Sequence, residues 1–181
     1  MRIESTPFET LAADLDRAVA ELIAAVGSDP AAWSRSRGRW TVGYHAAHVG
    51  ITLDRTATEF EEAERALRAG TLPAPPARRG LLQKLVVGMF LGGTLPRGAK
   101  TADWAVPTGK HERDPTIAAI RAGAGRHREI GARLGDDERQ RLWITNPFRP
   151  PWHYRLPEMV RVHAVHTRHH ARQIREIANT G

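Results

Sequence analysis

The closing segment of the chain, from Pro157 to about Ala178, constrains the fold more than any other. Met159, His163, His166, His170, Ile174 and Ile177 are separated by 4, 3, 4, 4 and 3 positions, which traces one face of an α-helix. Three histidines therefore interrupt an otherwise apolar inner stripe. His169 lies one position off that line, beside Val162 and Val165 on a flanking face. Such a helix must pack against others, and whatever faces it meets imidazole rings.

The rest of the chain supplies those partners. In "STPFETLAADLDRAVAELIAAVG", Thr6 reads as N-cap, Pro7 as the first helical residue and Glu9 as the end of a capping box. Phe8, Leu11, Leu15, Val19, Leu22 and Val26 then recur at helical spacing until Gly27. Thr41 can cap a second helix reaching about Ala69, with Val42, His45, Val49, Thr52, Thr56, Phe60, Ala63 and Leu67 as its inner stripe. Residues 70–113 are broken by Pro and Gly and read as a long crossover holding one short helix in the apolar Leu81–Leu95 stretch. Asp114 and Pro115 open a third long helix, with Ile117, Ile120, Ala124, Ile130 and Leu134 inside; Gly123, Gly125 and Gly131 weaken it. "GDDERQRLWITNPFRPPWHYR" reads as a loop with aromatic anchors before Pro157 opens the last helix. No segment sustains period-two alternation. The prediction is one all-α domain over residues 1–181, a four-helix bundle with a long crossover between the second and third main helices.

Composition narrows the chemistry. The chain has no cysteine, so a metal site must be built from histidine, carboxylate and water. Glu4, Glu9, Asp14, Asp16 and Glu21 stand where a secretory signal would need an apolar run, so a cytoplasmic location is expected. The uncharged run from Leu85 to Pro96 is well short of the roughly 20 residues of a spanning helix, and no membrane partner is expected. Lys and Arg number 27 against 20 Asp and Glu, a net charge of +7. The arginines are spread along the chain and no recognised motif accompanies them, so a small-molecule substrate is expected rather than nucleic acid. The Leu81–Leu95 stretch and several tryptophans could supply a homodimer surface, or equally the monomer's own core.

His166 and His170, four positions apart, can converge on one ion. A third ligand must come from another helix: His45 or His48 on the second, or His127 on the third. Spacing alone favours His45, nearer the centre of the Val42–Phe60 stripe, over His48 at its edge. Taken singly, His127 and His163 read as core histidines bonded to backbone or water. The His166 and His170 pair, backed by histidines on a second helix, reads as metal-binding.

Two stretches carry a resemblance: "WTVGYHAAHV", in which His48 follows a Trp by eight positions, and the closing "HTRHHARQI", approached through "NPFRPPWHYRLPEMVRVHAVH". With them the chain resembles the DinB-like superfamily of bacterial four-helix-bundle proteins. The helical layout matches over nearly the whole length and the specific motifs over about thirty residues. The resemblance implies a divalent metal held by His48, His166 and His170. His48 thereby displaces His45, which stands where the family usually has an apolar residue. His45, His163 and His169 become candidates for orienting the ligands or shuttling protons. Zn or Ni are the first choices of ion, with Mn or Fe as further options.

Three neutral imidazoles leave coordination positions open, as in catalytic rather than structural sites. Such an ion can lower the pKa of water toward about 7, hold a thiol as thiolate, or polarise a carbonyl. Characterised members of the family include transferases and isomerases that use a low-molecular-weight thiol. The resemblance therefore implies a metal-dependent thiol S-transferase. A metal-dependent hydrolase is one alternative, and a non-enzymatic, stress-associated ligand- or partner-binding protein is another. Arg55, Arg168, Arg172 and Arg175 are candidates for binding the thiol's carboxylates, or else form solvated helix faces. No carboxylate marks itself as general base. The long crossover, the extra His45 and the +7 charge depart from the family pattern and bear on substrate and partner.

Overall fold

The computed structural model describes residues 6–27, 30–38, 40–76, 79–93, 95 and 101–178. Four long helices carry most of the mass: α1 (Phe8–Val26), α2 (Val42–Arg68), α4 (Arg113–Ala132) and α6 (Leu156–Ala178), with the shorter α3 (Leu81–Leu91) and α5 (Asp136–Arg141) in the connections. The chain is mostly helical, as the periodicity predicts. α1 buries the six apolar residues its spacing marks. It starts at Phe8 rather than Pro7, with no side-chain cap at Pro7, whose carbonyl accepts the Thr10 amide at 3.0 Å. α2 begins as predicted, its first turn closed by the Tyr44 amide donating to Thr41 Oγ1 at 3.1 Å.

α1 lies along α6 and α2 along α4, while α2 and α6 also meet directly. Leu15, Leu22, Leu53, Phe60, Ile120, Ile130, Met159 and Ile174 fill the space between them. Across the α1–α6 seam, Arg168 places its guanidinium on Asp14 at 2.8 Å and on Glu21 at 3.0 Å, and Arg161 reaches Asp14 at 2.7 Å. Arg168 thus ties two helices together.

Two short antiparallel hairpins were not expected: β1 (Ser36–Arg37) with β2 (Trp40–Thr41), and β3 (Trp143–Thr145) with β4 (His153–Arg155). Two or three residues are too few to display alternation. Their position matters, because β2 runs directly into α2 and β4 directly into α6. The hairpins therefore fix the entry points of the two helices that carry the candidate ligands. α5 also falls in a stretch read as loop.

In the crossover, α3 is pinned by buried Val87 and by Gln83 Nε2, which donates to the His153 carbonyl at 2.8 Å. Further on, a single 3₁₀ turn (Asp103–Ala105) packs against α2 and buries Ala105. Among the described residues, no helix is long and apolar enough to cross a membrane.

Packing explains two of the three glycines that weaken α4 by propensity. A Cβ at Gly123 would lie 2.8 Å from Leu53 Cβ and 3.3 Å from the Asp54 amide nitrogen, so this is where α2 and α4 touch backbone to backbone. At Gly131 the Phe8 ring occupies the place of a side chain. Gly125 meets only the end of the Arg128 side chain, at 3.8 Å. Gly123→Ala is accordingly expected to destabilise the fold by about 1–3 kcal/mol through overpacking. Gly125→Ala should stabilise it by roughly 0.5–1 kcal/mol through helix propensity. Urea unfolding of the two variants tests the contrast, and equal effects would contradict the close approach at Gly123.

Candidate metal centre

α6 turns the inner stripe of histidines toward α2, and two groups of polar side chains form along the contact. In the first, Nε2 of His166 lies 3.1 Å from Nε2 of His48 and 3.1 Å from Nε2 of His170. All three ligand nitrogens fall within 4.8 Å of one another. His48 and His170 are buried, while His166 is partly exposed.

Hydrogen bonds behind the rings decide which nitrogen faces the centre. His48 Nδ1 is 2.7 Å from the Ala105 carbonyl, which can only accept, so the proton sits on Nδ1 and Nε2 presents a lone pair. His170 Nδ1 is 2.9 Å from Nδ1 of His45. In the tautomer that turns the His170 Nε2 lone pair inward, Nδ1–H donates to His45 Nδ1 and the proton of His45 sits on its own Nε2. His45 therefore stands behind a ligand.

Burial, reinforced by the neighbouring rings, pushes the pKa of His166 and His170 well below the ordinary imidazole value. Burial also lowers His48, partly opposed by its bond to Ala105. His45 is pushed down to about 4 by burial and by His48 and His169. All four are neutral near pH 7, the form in which imidazole binds metal.

The donor set fits a divalent ion. Neutral His166 has at most one Nε2 proton and faces two other Nε2 atoms, so protons alone leave lone pairs turned on each other, whereas a cation at the centre satisfies all three. With metal–nitrogen distances of about 2.1 Å, cis ligands are about 3.0 Å apart in an octahedron and about 3.4 Å in a tetrahedron. The observed 3.1 Å separations suit either geometry. Trp40 closes one wall: its ring stacks on His170 (centroids 6.0 Å, planes at 12°) and lies 5.2 Å from His45 and 5.0 Å from His48. His169 packs its half-buried ring edge-on against His170 at 5.3 Å.

The second group lies deeper in the same contact. Thr56 Oγ1 is 2.7 Å from His163 Nε2 and 3.2 Å from His127 Nε2, and His127 Nδ1 is 2.8 Å from the Gly123 carbonyl. Both rings are buried, and burial pushes His127 down to about 4 and His163 well below the ordinary value. His163 is directed at Thr56 and makes no hydrogen bond to the three clustered histidines. His127 is likewise a core histidine, bonded to the backbone.

The structure thus brings together His48, His166 and His170, with His45 and His169 against them, and sets His163 apart. The spacing preference for His45 as third ligand fails because the first half of α2 is buried on more than one side. Ala46, Ala47, His48, Gly50 and Leu53 are buried along with the predicted stripe. The roles of Trp40 and of the Ala105 carbonyl were not read from sequence. The position of Trp40 within "WTVGYHAAHV" was the available signal for one; nothing marked the other.

Of the candidate arginines, Arg168 is held by Asp14 and Glu21, Arg55 by Glu59 at 2.7 Å, and Arg175 by the Glu21 carbonyl at 3.3 Å. Arg172 is exposed and makes no ion pair among the described residues, and its charge adds to burial in lowering the pKa of His169. Comparison of the chain with protein-family models, curated proteins and solved structures finds no match.

Proposed function

We propose that the chain is a metal-dependent enzyme of the DinB-like type, built on a four-helix bundle. Its divalent ion is held by His48, His166 and His170, and its reaction is transfer of a low-molecular-weight thiol to a small electrophile. The convergence of three neutral Nε2 atoms, with His166 partly exposed, carries this reading. When bound, a divalent ion there supplies Lewis acidity toward a thiol, water or carbonyl in its open positions.

The protein groups have separate tasks. The Ala105 carbonyl and His45 hold the tautomers of His48 and His170, so the ligand set is organised before the ion arrives. Trp40 keeps water from the backs of three rings. Arg172 is the arginine left to meet a carboxylate of the thiol, as a charge-assisted contact at the rim.

The test is turnover of a dinitrochlorobenzene electrophile by metal-loaded protein with glutathione, mycothiol or bacillithiol in turn. Thioether formation with one thiol, absent in His166→Ala, is the expected result. Arg172→Ala should raise the KM for that thiol several-fold, and leave kcat near wild type. Ester hydrolysis without any thiol would instead favour the hydrolase. A fully metallated protein with neither activity would favour a binding protein.

A further inference from the structure

The helix α3 is apolar all round: "LLQKLVVGMFL" contains only Gln83 and Lys84 as polar side chains. A helix of that composition is ordinarily covered on every side. Here the chain covers one side only. Val87 and Gln83 face inward, while Leu81 is 86 % exposed, Leu82 52 % and Leu85 62 %. α3 is also held in place rather than dangling. Gln83 donates to the His153 carbonyl at 2.8 Å, and Arg79, just before the helix, donates to Glu158 at 2.7 Å. The leucines are therefore presented outward by a fixed helix, with Lys84 exposed among them.

The sequence around α3 has a charge pattern of its own. From Arg65 to Ala102 there is no carboxylate, while Arg65, Arg68, Arg78, Arg79, Lys84, Arg97 and Lys100 fall in that interval. Many arginines of the chain pair with carboxylates of other elements, as Arg126 does with Asp54 and Glu61, and within this interval Arg68 and Arg79 pair with Glu64 and Glu158. The longest acid-free interval of the chain is the one that exposes leucine.

Exposed leucines on either side of exposed Lys84, in a sequence interval without carboxylates, match the acyl–headgroup boundary of an anionic bilayer, where apolar burial and attraction to phosphate act together. A second copy of the chain matches less well. Docking α3 on α3 would bring two acid-free basic segments face to face, and three leucines expose far less than the about 800 Å² per partner of a standard stable interface. We propose that α3 seats the protein on an anionic lipid surface. The contact is peripheral and needs no spanning helix.

The experiment is flotation of the full chain with vesicles of phosphatidylcholine alone and of phosphatidylcholine with about one-third phosphatidylglycerol. The expected result is at least tenfold greater partition to the phosphatidylglycerol vesicles, lost at high salt. The double variant L81S/L85S should lose at least tenfold in partition. Both positions are exposed, so its circular dichroism should match wild type. Equal binding of wild type and variant would overturn the proposal. So would absence of binding at low salt, or a concentration-dependent dimer that the variant abolishes without any change in vesicle binding. None of these readouts involves the metal centre, so the proposal stands or falls independently of the proposed enzyme activity.

Discussion

His170→Ala is expected to purify, and to remain after loading, with no stoichiometric divalent ion, whereas the wild-type chain should take up about one. Two effects act together. The substitution removes one of three converging nitrogens, and it strips His45 of the hydrogen-bond partner at 2.9 Å that orders it. His48→Ala should behave the same way, since its Nε2 is one of the three and its Nδ1 anchors the ring to Ala105.

His45→Phe discriminates between ligand and support. If His45 only fixes the His170 tautomer, the variant should still reach about one ion per chain at saturation, with affinity weakened 10–100-fold, or about 1.4–2.8 kcal/mol. His127→Gln should bind as wild type does. Elemental analysis together with competitive titration against a chelator gives both stoichiometry and affinity. Full metal content in His170→Ala would sink the assignment. Complete loss in His45→Phe would make His45 a ligand in its own right.

Acid should destabilise the fold steeply, because the buried histidines resist protonation, and the share of the deep group can be isolated at His127. His127 has 0 % exposure, and burial pushes its pKa down to about 4. In the unfolded chain an imidazole titrates near 6.5. Above that value both states are neutral and His127 contributes no pH dependence. Between about 6.5 and 4 the unfolded chain takes up a proton that the native state refuses, so stability falls with pH. The loss is about 2 kcal/mol at pH 5 and levels off near 3 kcal/mol below pH 4. His163, also lowered well below its ordinary value by burial and by His127, extends the same trend to lower pH. Urea unfolding at pH 7 and pH 5, with chelator present, should show His127→Gln losing about 2 kcal/mol less than wild type over that interval. Parallel wild-type and variant profiles would mean that His127 is protonated, or reached by water, in the native state.

Much of the helical layout was legible because buried helices write their inner face at intervals of three and four. Six of the eight buried positions of α1 and the stripe of α6 follow from that rule, and the Thr41 cap from the need of a helix's first turn for a side-chain oxygen. What escaped the rule is local or non-periodic. The two hairpins are shorter than one repeat of their own pattern. α5 is a strongly charged six-residue turn with no buried face to mark it.

At the candidate site, the pairing of His166 with His170 was readable from spacing, and His48 only from resemblance. A stripe argument assumes a helix with one inner face. The start of α2 is enclosed by α6, the 3₁₀ turn and Trp40, so the edge of the predicted stripe is as buried as its centre. The Ala105 carbonyl could not have been foreseen, because a backbone acceptor contributed by a loop 57 positions away leaves no trace in side-chain pattern.

The junction of β2 with α2 has a consequence for how such a chain can change over evolutionary time. Trp40 walls the histidines, and the next residue, Thr41, closes the first turn of the helix that bears two of them. Adding or deleting one residue between Trp40 and His48 would rotate the helix by about 100° against its own wall, separating ring from ring. Length variation among descendants of this sequence is therefore confined to the links outside that nine-residue block. The block itself can diverge only by substitution.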